Sequence, residues 1–496
     1  MAAHGDRAGV IGHGPRGKLS GIGLARRLLF PNMKDMSLEV TEELIARQPP
    51  EAQAIIRTLL AKIQELQDRL NQSPHNSSLP PSTEHPHAKP PRRRRRATRP
   101  RGGQPGHPRH ERLLLPAQQC DDIIPLKPAN CRRCGRELSG EDAAPLRHQV
   151  WELPEIRPQV TEYQRHRLAC SRCGDTTCAA LPAGVPAGQS GPRLVAFAGL
   201  LMAYFRQSKR RTALFLGALL NQPCCPALTL KMQAQVTQAL RPAYEELARA
   251  LPEQRRLGID ESPTKEAAAK AWLWTFVAGL FTVFAARGTR AATVLSELLT
   301  DAFTGVVVCD RAKMYWGLGR LQWCWAHLAR DFQALADSED RVVRRLGHDL
   351  LRPTRELFRQ WSRCRDGTTS RAELNHGLAP VRRAVEGLLL RGLFSGHPRL
   401  VGMCRELYEH REWLWTFLEQ EVEPTNNASE RALRHAVIWR KLSFGTRSAG
   451  GSRFVETMLT VIETCRQQAR DVFGYVTAAV QAHFAGQPTP SLLPGA

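Results

Sequence analysis

Three carboxylates, far apart in the chain, occupy positions where chemistry is done. Asp260 lies in RRLGIDES and Asp310 closes GVVVCD, two apolar runs that read as strands. Glu430 lies in PTNNASERALRHAVIWRKLSFGTR, positions 424 to 447, a stretch with five Arg or Lys and one acid. Acids gathered from such distances repel and raise one another's pKa values. Two divalent cations would remove that penalty and create a phosphoryl-transfer site, one activating the attacking oxygen and the other stabilising the leaving one. Hard oxygen donors suit Mg²⁺ or Mn²⁺, so Asp260, Asp310 and Glu430 are the expected ligands and catalytic residues. Each has an ordinary alternative. Glu430 fits the first turn of a helix capped by Asn426 or Asn427, with Arg434 at i+4. Asp260 could yield its role to Glu261, whose side chain should point to the other face. Asp310 could begin a turn, and Asp331 could pair with His327.

A second constellation binds metal for structure. CRRCG at 131–135 and CSRCG at 170–174 are two Cys-x-x-Cys-Gly knuckles separated by 35 residues. Two such pairs, Cys131, Cys134, Cys170 and Cys173, complete a tetrahedral Zn²⁺ site, each Gly permitting the tight turn behind its pair. Four protein ligands leave no open position, so this site is not the catalytic centre. VTEYQRHRL between the knuckles alternates like a strand.

The elements that must position these groups follow in order. Residues 255–310 read as strand, hairpin, helix and strand, and LQWCWAHLARDF as a further strand entering a helix. The run AWLWTFVAGLFTVFAA, 271–286, is shorter than a membrane helix and reads as two buried strands joined by a turn. A β-β-β-α-β-α-β order with Asp on the first and fourth strands is the plan of the RNase H-like fold, which takes its last carboxylate from a later helix. Glu430 lies 120 residues beyond Asp310, and apolar residues between 335 and 420 recur at helical spacing, an all-helical insertion. Residues 190–252 read as a helical domain in which a helix-turn-helix competes with plain helical packing. Ile56, Leu59, Ile63, Leu66 and Leu70 form the a/d seam of a coiled coil, or the packed face of an amphipathic helix. The expected architecture is therefore multidomain α/β. It comprises an unassigned, disorder-prone 1–50, a coiled-coil-like helix 51–73, a basic linker 74–112 and a zinc-ribbon-like module 113–185. The helical domain 190–252 follows, then a catalytic core 253–334 and 421–478 interrupted by the helical insertion 335–420, and a tail 479–496.

Charge points to the partner. A net charge of +23 over 496 residues is a surplus that no fold requires and that a phosphate-rich partner explains, with an anionic membrane surface second. Arg92, Arg93, Arg94, Arg95 and Arg96, in a segment too polar for a core, are expected along DNA phosphates or in a narrow minor groove. Arg431, Arg434, Arg440 and Lys441 are expected to hold the strand beside Glu430. Thirteen cysteines with no signal peptide argue for a reducing interior.

GIDES, VVVCDRAKMYW, QWCWAHLARDF and PTNNASERALRHAVIWRKLSFGTRSAGGSRF resemble the successive motifs of transposases of the insertion-sequence 66 family. The zipper-like helix, GGQPGH at 102–107 and the paired Cys-x-x-Cys are similar to that family too, over residues 50–485. The resemblance implies a DDE transposase with Asp260, Asp310 and Glu430 as its triad, terminal inverted repeats as substrate, and small accessory proteins from the same element. It also puts His327, in the Cys-x-x-His of CWAH, in an auxiliary role near the active centre, with a satisfied structural His as the alternative. Ser262 stands where the family commonly has Thr, and DRAKMY replaces an Asp-Gly-Tyr pattern.

Taken together, these features predict Mg-dependent cleavage at inverted-repeat ends and strand transfer by the freed 3′-hydroxyl. The protein is expected as a homo-oligomer on DNA, without a membrane, in the bacterial cytoplasm at the nucleoid. Two rivals remain: a non-catalytic, zinc-containing DNA-binding protein from an inactive or domesticated element, and a nuclease without strand transfer.

Overall fold

The computed structural model describes residues 42–70, 72–74, 76, 77, 112–493 and 495. The linker arginines Arg92 to Arg96 and the GGQPGH stretch lie outside the described residues. The chain divides into two units between Gln72 and Ser73.

In the first unit, a short helix α1 (Glu42–Ala46) lies within the stretch for which no element was expected, and α2 spans Pro50–Leu70. The α2 seam is open: Leu59, Ile63, Leu66 and Leu70 are exposed.

The second unit begins with a segment of sparse regular structure. Strands β1 (Arg167–Ala169) and β2 (Thr176–Cys178) pair antiparallel behind the second knuckle. The strand expected over VTEYQRHRL is confined to its end, because a strand needs a partner and only β2 offers one. Three helices follow, α3 (Pro192–Ala203), α4 (Lys209–Leu220) and α5 (Pro226–Arg249). Then comes a five-stranded mixed sheet of β3 (Arg256–Glu266), β4 (Ala269–Val277), β5 (Thr282–Arg287), β6 (Val306–Cys309) and β7 (Leu321–Trp323), in the order β5-β4-β3-β6-β7. The hairpin partners β4 and β5 run antiparallel; β6 and β7 run parallel to β3. The 271–286 run is thus two strands, buried through Trp274, Phe276, Val283 and Phe284. Helix α6 (Thr293–Leu299) links β5 to β6, and a 3₁₀ turn (Lys313–Leu318) replaces the helix expected between β6 and β7.

After β7 the chain enters α7 (Trp325–Ala336), then α8 (Arg341–Arg365), α9 (Arg371–Leu393) and α10 (Pro398–Glu409), each packed on the one before. Local signals start two of them. Asp340 accepts from the N–H groups of Val342 and Val343, and Ser370 with Glu373 forms a capping box. Helix α11 (Asn427–Ser443) then returns to the sheet, followed by α12 (Ala449–Gln467) and α13 (Val472–Phe484). Helices α3, α5, α12 and α13 pack together.

Helix α12 also closes the sheet. The free N–H groups of edge strand β5 at Thr282, Phe284 and Ala286 donate to Thr464 Oγ1 (3.2 Å), Thr460 Oγ1 (2.9 Å) and Glu456 Oε2 (2.9 Å). A helix row at i, i+4, i+8 advances about 6 Å per step and a strand about 6.7 Å per two residues, so the two repeats match. The edge is thereby protected from pairing with another chain. No described helix is long and apolar enough to cross a membrane.

Candidate active site

Register brings the strand-end residues into one row. Gly258 pairs with Val308, and Val308 with Gln322. Continued two residues, the register sets Asp260, Asp310 and Cys324 side by side on three parallel strands, about 4.8 Å apart strand to strand; Asp310 and Cys324 follow the last residues of β6 and β7, whereas Asp260 does not end its strand, since β3 runs on to Glu266 beside β4. Side chains alternate along β3, so Gly258, Asp260 and Ser262 share a face, and α11 crosses it. A Cβ on Gly258 would lie 2.4 Å from Ser429 Oγ and 3.1 Å from Asn426 Oδ1. Asn426 Nδ2 donates to Ile259 O at 2.7 Å, and Arg440 donates to Ser262 Oγ at 3.1 Å and to Pro263 O. Asn426 is thus the N-cap residue without a side-chain capping bond; its amide fastens the helix to β3 instead.

Glu430 projects from that helix toward the row. Burial and the charges of Glu261, Asp310 and Glu430, in that order, push the Asp260 carboxyl well above its ordinary range. Burial also raises Glu430, against the opposing pull of Arg330 and Arg434. Glu430 Oε1 lies 3.7 Å from Arg330 Nη2 and 3.7 Å from His327 Nδ1, beyond hydrogen-bond reach. Both Glu430 Oε1 and His327 Nδ1 are buried with no hydrogen-bond partner. Burial, Arg330 and Arg311 hold His327 down at about 3, so the ring is neutral. Donor atoms of Cys324, His327 and Glu430 lie within 4.8 Å of one another. The Cys324 thiol is pushed up to about 11 by burial, and its Sγ accepts from Asn426 N–H at 3.2 Å.

Beside the row, the partners of Glu261 and the role of Arg311 were not singled out by sequence reasoning. Glu261, on the opposite face of β3, takes Arg290 Nε at 2.6 Å and the Tyr315 hydroxyl, and Arg290 Nη2 reaches on to Asp310 Oδ2 at 3.9 Å. Arg311 donates to Asp331 at 2.8 Å and Glu406 at 3.0 Å, tying the residue after Asp310 to α7 and α10. Asp331 therefore pairs with Arg311 and not with His327. The signal available was the DRAKMY departure itself, an arginine following the strand-end acid. Of the expected DNA contacts, Arg431, Arg434 and Lys441 are exposed, while Arg440 is turned onto β3.

The knuckles form as two equivalent turns. Cys131 N donates to Arg136 O at 2.8 Å and Gly135 N to Cys131 O at 2.9 Å; the Cys170 turn repeats both bonds at 2.7 and 2.8 Å. Gly135 and Gly174 take φ of +75° and +73°, a conformation that favours glycine. Amide donors from within each turn lower the Cys131 and Cys170 thiols. Among the described residues, the four sulfurs do not gather into one cluster of donor atoms.

A family of unknown function, DUF6444, matches residues 31–113, and the zinc-finger binding domain of transposase IS66 matches residues 128–174, spanning all four knuckle cysteines. That match supports zinc binding. Similar chains occur in Sinorhizobium fredii (strain NBRC 101917 / NGR234). "Uncharacterized protein y4qI" is 25% identical over 443 residues, covering 80% of this chain and 77% of that one. "Uncharacterized protein y4jO" is 28% identical over 172 residues, covering 34% and 51%. The profile of the transposase IS66 family matches residues 192–453, from α3 through the Asp260, Asp310 and Glu430 positions into α12. That stretch is more than half of the sequence, and the chain belongs to the IS66 family of transposases.

Proposed function

We propose that the chain is a DDE-type transposase that cleaves DNA at inverted-repeat ends and joins the freed 3′-hydroxyl to target DNA. Its triad would be Asp260, Asp310 and Glu430 on an RNase H-like core. The observation that supports the reading is the strand register that sets Asp260 beside Asp310, with α11, which carries Glu430, seated across the same face of β3.

The donor set fits a hard divalent cation. Asp260 lies beside Asp310 by strand register, Glu430 Oε1 lacks a hydrogen-bond partner, and the neighbouring thiol is protonated at neutral pH; among the described residues the donor atoms within 4.8 Å of Glu430 are those of Cys324 and His327, so the three acids would have to close on the ion. Asp260, Asp310 and Glu430 would hold Mg²⁺ or Mn²⁺, which when bound supplies positive charge to the attacking and leaving oxygens of the phosphodiester. The protein's own part is positioning. Asn426 and Arg440 fix α11 across β3, Arg311 fixes the chain after Asp310, and neutral His327 abuts the Glu430 carboxylate. Exposed Arg431, Arg434 and Lys441 would hold backbone phosphates, and Arg92 to Arg96 would add contacts further along. Cys131, Cys134, Cys170 and Cys173 would close on a structural Zn²⁺, which would draw the two knuckles together. The domain limits, a homo-oligomer on DNA, accessory proteins of the same element, and action at the bacterial nucleoid belong to the same reading.

The test uses duplex DNA carrying the element's ends. Wild type is expected to nick it with Mg²⁺ and give joined products. Asp260→Asn and Glu430→Gln should each lose at least about 100-fold in cleavage while binding the DNA as tightly. A variant with undiminished strand transfer would refute the assignment, and hydrolysis without joining would make the protein a nuclease.

A further inference from the structure

Helix α11 ends on Phe444, whose backbone is left-handed at φ 59° and ψ 24°. A side chain with a Cβ is disfavoured there, and glycine is the usual occupant of such a helix end. The ring is also 83% exposed, the most exposed aromatic side chain among the described residues. An apolar ring thus stands in an unfavourable backbone conformation with little to pack against. Strain of this kind persists where the surroundings over-determine it.

Those surroundings are rigid. Phe444 N–H donates to Arg440 O at 2.7 Å. The following residues are clamped to the end of β3, Thr446 N donating to Lys265 O at 2.9 Å and Ala267 N to Thr446 O at 2.8 Å. Gly445 lies so close that a Cβ there would be 2.4 Å from Lys265 O. Ile438 and Leu442, one turn apart on the outer side of α11, are 37% and 62% exposed and lead toward the ring. Around them Arg431, Arg434, Lys441 and Arg447 are exposed, and no acid occurs between Glu430 and Glu456. Lysine is depleted from the cores of protein interfaces, whereas a basic track with interleaved aromatic groups suits a nucleic-acid strand.

We propose that Phe444 is a base-stacking residue, its ring lying against the face of an unpaired base in the DNA strand whose phosphates follow α11. This rests on the DNA-cleavage reading and adds where that strand must be open. The 14 residues from Glu430 to Phe444 span about 21 Å of helix. The five from Asp260 to Lys265 span about 17 Å of strand. The two routes agree, and at ~3.4 Å per stacked nucleotide the ring meets a base about five or six nucleotides from the acids. A paired base inside a continuous duplex has both faces covered, so the base met there is single-stranded or flipped from the stack.

Full-length protein, without added Mg²⁺ or Mn²⁺ and with no chelator, is titrated against a fluorescein-labelled oligothymidylate of about 20 nucleotides and a blunt duplex of the same length, followed by anisotropy. Phe444→Gly suits the left-handed backbone and is expected to melt no lower than wild type. It should weaken oligothymidylate binding roughly 10-fold, and Phe444→Tyr should stay within about twofold. Duplex affinity should change less than about twofold in both variants. Unchanged oligothymidylate affinity in Phe444→Gly, or an equal loss on the duplex, overturns stacking. A smaller oligomer for Phe444→Gly in DNA-free sedimentation overturns it in favour of a protein interface. Wild type that binds neither probe overturns the DNA reading along with it. If wild type binds and only the Phe444 effect is missing, the triad reading is untouched.

Discussion

At the scale of single residues, the acids within β3 and just past β6 oppose folding until something positive joins them. The sign at Asp260 is definite. Its folded carboxyl is held well above the usual 3.8 by burial, Glu261, Asp310 and Glu430, so the folded state keeps a proton that the unfolded chain releases. Without metal, its contribution to stability is greatest below pH 3.8 and declines as pH rises through the folded value. Asp260→Asn is nearly isosteric and does not ionise. Without added divalent cation it should melt higher than wild type at neutral pH, by at least about 2 °C, with the gap closing at acid pH and on adding Mg²⁺ to wild type. Thermal melts across that range check it, and a variant that melts lower throughout would contradict it. Asp260 and Asp310 were legible because each closes an apolar run, although β3 itself continues past Asp260 through polar residues to Glu266. The contacts of Glu261 with Arg290 and Tyr315 were not, because they join residues with no shared local pattern.

At the scale of elements, the site depends on how closely α11 lies on β3. Gly258 makes that possible, since any side chain there meets Ser429 and Asn426. Gly258→Ala should displace the helix and cost about 1–3 kcal/mol of stability. Because Glu430 rides on the displaced helix, cleavage should fall by about 100-fold, as an ångström of misplacement does elsewhere. Tm and single-turnover cleavage measured together test this; normal cleavage in a destabilised variant would uncouple the helix seat from the site. The helix itself was readable from its apolar spacing and basic composition. Its seat was not, because closeness to β3 is set by a glycine 168 residues before Asn426. The same limit explains VTEYQRHRL, where alternation promised a strand but no partner lies alongside most of it. It also explains the residue after Asp310, where Arg311 finds its acids on α7 and α10.

At the scale of the whole molecule, composition and cysteine spacing carry most of the information. A basic chain with two knuckles and a five-stranded mixed sheet is an IS66-family transposase, and the knuckles predict their own assay. Cys131→Ser should lower bound zinc by about one ion per chain in metal analysis, while equal content in variant and wild type would remove the knuckles from metal binding. What the sequence by itself determined is the set of local facts: two short apolar runs broken by a turn make the β4–β5 hairpin, Cys-x-x-Cys-Gly makes two turns with glycine at positive φ, and caps start α8 and α9. Only the tertiary structure decided that Asp260 lies beside Asp310 with α11 across β3, that Glu456, Thr460 and Thr464 close the sheet edge, and that Phe444 is held strained and exposed. Those outcomes depend on register and on contacts between residues 100 or more positions apart, and local sequence preference carries no term for such distances.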